Sequence, residues 1–113
     1  MSDDNPFSLY DPSRKVEMLP GVHRQMLACG QGAMVVRIDL AKGAEVPMHT
    51  HPHEQIGHLA SGRATLKIGD KAVELKPGDG YAIPSNVPHG VVDCAEDSIF
   101  MDVFSPPREE YRQ

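Results

Sequence analysis

The chain has 113 residues, 40% of them hydrophobic and 24% charged, which sets the scale of one domain with one core. The formal net charge is -5 and no run of lysine and arginine occurs, so nucleic acid and anionic membrane surfaces are not expected partners, because phosphate groups demand clustered cations. No apolar stretch approaches the roughly 20 residues that cross a bilayer, and the acidic start MSDDNPFSLY lacks the pattern of a secretory signal, so a soluble cytoplasmic protein with Cys29 and Cys94 as free thiols is expected.

Ten glycines and ten prolines are spread along the sequence between short apolar runs. That punctuation, with little helical periodicity, predicts an all-β sandwich or barrel. Residues 1–20 are expected to form an N-terminal arm packing on the barrel, and 21–113 the barrel domain. AMVVRIDL (33–40) alternates and is rich in β-branched residues, so it reads as a strand. AKG turns the chain into AEVPMHTH (44–51), where Pro47 marks an edge or a bulge. QIGHLASG (55–62) follows a turn at Pro52–Glu54. Residues 64–68 and 72–75 flank Gly69–Asp70 as a hairpin, which PGDG closes. YAIP (81–84) and HGVVD (89–93) are short strands around SNVP. SIFMDVF (98–104) is the last strand, and the tail SPPREEYRQ is irregular.

Four of the six histidines fall in MHTHPHEQIGHL (48–59). Side chains alternate faces on a strand, so His49 and His51 point the same way and can reach one ion. Gln55 begins the return strand and can face that ion across the ladder. His89, at the start of another strand, is the candidate for a fourth ligand. Pro52 turns the chain and breaks the parity, which puts His53 at the rim and Glu54 in solvent. His58 has the opposite parity to Gln55 and should face away, and His23 stands alone as a non-ligand.

Gly43-x5-His49-x-His51-x3-Gln55-x6-Gly62 and Gly78-x5-Pro84-x-Asn86-x2-His89 resemble the two cupin motifs with their spacings intact. The resemblance implies an all-β, single-domain antiparallel jelly-roll barrel. It also implies one divalent metal ion inside the barrel, zinc, nickel, iron or manganese, held by His49, His51, Gln55 and His89. Three positions depart from the pattern. Gln55 stands where Glu is usual, Asn86 replaces a glycine, and Asp93 replaces the closing Asn. Asn tolerates left-handed backbone conformations. Gln55 changes the chemistry, because three imidazoles and an amide are all neutral and leave the dication its full charge. That favours Lewis-acid work on an anionic or oxygen-rich ligand over redox iron chemistry.

In SIFMDVFSPPRE, Phe100, Asp102 and Phe104 share one face, and Ile99, Met101 and Val103 the other. A carboxylate on an apolar face is costly unless it is paired. Arg108 can pair with it. Alternatively Asp102 faces the lumen as an acid/base group, Arg108 receives a substrate carboxylate, and Phe104 packs against a sugar face. HTHPHEQIGHLASG, IPSNVPH and DVFSPPRE together resemble the KdgF-type small cupins of uronate catabolism. This implies catalytic roles for Asp102, Phe104 and Arg108 in the ring opening of 4,5-unsaturated uronates. A non-catalytic metal-dependent binding or sensing module needs the same residues and remains an alternative, as does a cupin dioxygenase. The partners expected are a small sugar acid and a second copy of the chain in a homodimer, because open sheet edges invite pairing.

Overall fold

The computed structural model describes residues 5–113, so the first four residues of the expected arm lie outside it. Among the described residues there are eight strands: β1 (Val16–Leu19), β2 (Val22–Cys29), β3 (Met34–Leu40), β4 (Val46–His49), β5 (Glu54–Ile68), β6 (Lys71–Leu75), β7 (Gly80–Ile83) and β8 (His89–Ser105). Neighbours run in the order β1-β2-β3-β8-β5-β6, with β4 hydrogen-bonded to β8 and β7 to β5. Every pairing is antiparallel. Short 3-10 turns at Pro12–Arg14 and Glu109–Tyr111 flank the sheet.

The core follows from alternation. Val22, Leu40, Leu59, Leu66, Val91 and Phe100 turn inward as one apolar cluster. Met26, Met34, Val36, Phe104 and Tyr111 form a second. Each large aliphatic or aromatic group so buried contributes about 1.5–3 kcal/mol relative to exposure. Cys94 is buried and Cys29 half-buried, and both are free.

Two long strands position the site. β5 and β8 pair from Glu54–Ser105 at one end to Ile68–His89 at the other, with register shifts between Leu59 and Leu66. Bulges bend and twist a ladder. Gln55 and Phe104, from one end, and His89, from the other, therefore line the same cavity. β4 lies on the β8 side, and His49 sits opposite His89. Its register breaks between Val46 and His49, around Pro47, as the proline suggested.

Some strand boundaries differ from the sequence reading. The segments 55–62 and 64–68 form one strand, as do 89–93 and 98–104. The charged CAEDS stretch looks like a turn. It continues as a bulged strand because Cys94 and Ser98 face inward and Ser98 Oγ donates to the Glu96 carbonyl at 2.7 Å. β2 has no clean alternation in VHRQMLAC, since both Gln25 and Met26 are buried, and so it escaped the period-2 pattern. Gln25 is buried because it ties down the arm. Its amide nitrogen donates to the Asp11 carbonyl at 2.5 Å, and its oxygen accepts from the Asp11 amide at 3.0 Å. The arm then adds β1 to the edge of β2, and Met18 and Leu19 reach the cavity wall.

Candidate metal centre and catalytic pocket

His49 ends β4, His51 follows it in the loop, and His89 opens β8. Their ligating nitrogens lie within 4.8 Å of one another. Ring centroids are 4.3 Å apart for His49–His89 and 4.8 Å for His51–His89. Each ring is tethered through Nδ1 to a backbone carbonyl: His49 to Pro47 at 2.8 Å, His89 to Val87 at 2.8 Å, and His51 to His53 at 3.0 Å. A carbonyl only accepts, so each Nδ1 carries the proton and each Nε2 lone pair is left for another partner.

Two observations test whether an ion fits. Nε2 of His89 is buried with no partner. Nε2 of His51 and Oε1 of Gln55 face each other at 3.0 Å, and with Nδ1 protonated both are acceptors. Gln55 also lies near the Asp102 carboxyl, whose pKa it draws down. A cation between them resolves the opposed lone pairs. Burial lowers the His89 pKa to about 4 and also lowers that of His51, so both rings are neutral near pH 7 and free to donate. These residues therefore fit a divalent ion.

Asp102 is 4% exposed. Burial raises its pKa to about 6, against the downward pull of hydrogen bonds from Tyr81 and Gln55. The Tyr81 hydroxyl donates to Asp102 Oδ1 at 2.5 Å. Arg108 does not pair with Asp102. It donates to Glu110 at 3.0 Å and stacks over Tyr111 and Phe104, with its guanidinium carbon 4.1 and 5.2 Å from the ring centroids. The short spacing from 108 to 110 across the 3-10 turn favours that local partner, while its buried Nε has none. Phe104 packs its ring against His51, with centroids 5.6 Å apart, and so supports a candidate ligand while lining the cavity.

His49, Gln55, His89, Asp102, Phe104 and Arg108 all line one cavity with about 580 Å³ of empty space, its open mouth included. Most of the remaining wall is apolar, which strengthens every charge interaction inside. His53 is half-buried beside His51, His58 is exposed, and His23 faces Glu17 at 3.9 Å. Asn86 takes φ 64°, the left-handed conformation its side chain tolerates, and donates its backbone N–H to the His51 carbonyl at 2.9 Å.

Tyr81 is the site residue that the sequence reading missed. It sits across β7 and β5 from Gly57, which in turn faces Asp102 on β8. A glycine inside a strand marks a close approach, and Gly57 is the signal that could have pointed to it.

Residues 36–104 match the cupin domain model. The chain is 37% identical to the pectin degradation protein KdgF of Dickeya dadantii over 84% of its own length and 87% of that protein's. Among solved structures, KdgF from Halomonas superposes with a TM-score of 0.87 at 28% identity, covering 96% of this chain and 99% of that one. An RmlC-like cupin from Shewanella frigidimarina gives a TM-score of 0.85 at 30% identity, covering 93% and 95%.

Proposed function

The chain belongs to the cupin family, and from that premise we propose that it is a metal-dependent enzyme that opens the ring of 4,5-unsaturated uronates, in keeping with its pectin-degradation relative. The observation that carries this reading is the convergence of an imidazole cluster, a buried carboxyl and an arginine on one cavity. His49, His51, His89 and Gln55 would hold the ion. When bound, it supplies Lewis-acid polarisation of a substrate oxygen.

The protein's own side chains do the rest. Arg108 holds the substrate carboxylate, and its place in the cavity wall supports that role. Asp102 takes the proton of the anomeric hydroxyl as the bond between C1 and the ring oxygen breaks. The electron pair passes to that oxygen, giving an aldehyde and an enolate. Asp102 then returns the proton to C4, and the linear 5-keto acid results. No atom is gained or lost, so the step is an isomerisation. A carboxyl with a pKa near neutrality can both accept and give back a proton. Phe104 packs against both the His51 ring and the Arg108 guanidinium. The apolar wall excludes bulk water.

The test is disappearance of the cyclic unsaturated uronate by NMR with metal-loaded protein. Asp102→Asn is expected to lose roughly 10²- to 10⁴-fold in kcat while keeping its metal. Tight binding without turnover in the native protein would favour a sensing module instead.

A further inference from the structure

Three strands put one residue each into a single row: Tyr81 on β7, Gly57 on β5 and Asp102 on β8. Residues in such a row on adjacent strands are side by side. The middle position has no side chain, and the Tyr81 hydroxyl passes across it to Asp102 Oδ1. A Cβ added at Gly57 would sit 2.2 Å from Asp102 Oδ1, 2.6 Å from the Met101 backbone carbonyl and 2.8 Å from the Tyr81 oxygen. Any side chain there therefore collides with the contact itself. The backbone of Gly57 carries no positive φ, so the glycine answers to the crossing above it and to the close Met101 carbonyl, not to a turn.

We propose that Tyr81 is a positioning residue for Asp102, which fixes one carboxyl oxygen across the Gly57 gap so that the other is presented to the substrate. The inference rests on the reading of Asp102 as the proton carrier. Burial raises the phenol's pKa well above its ordinary value, so Tyr81 stays a donor throughout the neutral range and does not compete as a base. Arg108, the cation that could have captured Asp102, is turned to Glu110. Asp102 is thus held by a neutral donor, Tyr81, which orients it without a formal opposite charge to lock it in the ionised form.

The test is Tyr81→Phe in zinc-loaded protein, with two independent readouts. The first is the Asp102 side-chain rotamer from Hα–Hβ NMR couplings. One rotamer is expected in the native protein and averaging over several in the variant. The second is the steady-state split on 4,5-unsaturated uronate. A roughly 10- to 100-fold loss in kcat is expected, with KM and zinc content unchanged within about twofold. Tyr81→Phe that keeps a single native Asp102 rotamer overturns the proposal, as does an unchanged kcat in a protein that turns over. Absence of turnover in the native protein sinks the uronate reading alone, and the rotamer result then decides the positioning role. Gly57→Ala provides a second route to the same displacement, with the same rotamer averaging expected. A native Asp102 rotamer in that variant would also count against the proposal.

Discussion

Gln55 stands between a candidate ligand and the buried carboxyl. Its oxygen faces His51 Nε2 at 3.0 Å, and the neutral amide lies near Asp102 and draws its pKa down. A glutamate there would keep an oxygen facing His51, and it would set a second carboxyl near Asp102, where like charges oppose joint ionisation. Gln55→Ala is expected to weaken metal binding by about tenfold or more, measured as metal content after dialysis. Gln55→Glu is expected to retain metal and still lose turnover. A Gln55→Glu protein with native kcat would show that Asp102 works unhindered beside a second carboxyl. The histidine motif was legible because its spacing is local: alternate residues on one strand share a face wherever the strand lies. The partner of Asp102 was not legible, since Tyr81 meets it only through the registers of β7, β5 and β8. The sequence offered Arg108 as the partner of Asp102, and the fold gives Arg108 to Glu110.

At the scale of strands, β4 is the weakest support of the centre. It pairs with β8 alone, through Val46–Val91 and His49–His89, and it carries a proline. It approaches β8 closely at Gly90, where an added Cβ would meet the Val46 carbonyl at 2.5 Å. Gly90→Ala is therefore expected to push β4 and His49 outward. A stability loss of about 1–3 kcal/mol in urea denaturation should accompany weaker metal binding. Unchanged values in both measurements would show that β4 yields without moving its histidine. The hairpin at Gly69–Asp70 and the strand around Val36 were readable from turn chemistry and alternation. β2 was not, because Gln25 is buried to anchor Asp11, a polar use of an inward position that no period-2 pattern anticipates.

For the molecule as a whole, two kinds of tie hold parts that are distant in sequence. The first is the proposed ion centre, whose candidate ligands come from β4, the following loop, β5 and β8. An ion that binds only the folded chain stabilises it by about 2.7 kcal/mol when free ion exceeds Kd a hundredfold. Chelation is expected to lower Tm by several degrees, and a His49→Ala/His51→Ala double variant should show no such shift. The second is the bridge from the arm to β3, where Asp39 accepts from Lys15 at 3.0 Å and from Arg37 at 2.8 Å. Burial pushes the Asp39 carboxyl up, but the Arg37 and Lys15 cations outweigh it and hold it below the usual range. Its contribution is therefore complete above the unfolded value of about 3.9 and is lost as pH falls through the lower folded value. Asp39→Asn should cost about 1 kcal/mol at pH 7, and the difference from the native protein should close in strong acid. Equal stability of the two at pH 7 would argue that the arm is held by Gln25 and β1 alone. The tethers of His49 and His89 reach only two residues back along their own backbone. Each ring is thus aimed by its own stretch of backbone, so the candidate seat for an ion does not depend on the side chains that other strands bring to the cavity wall.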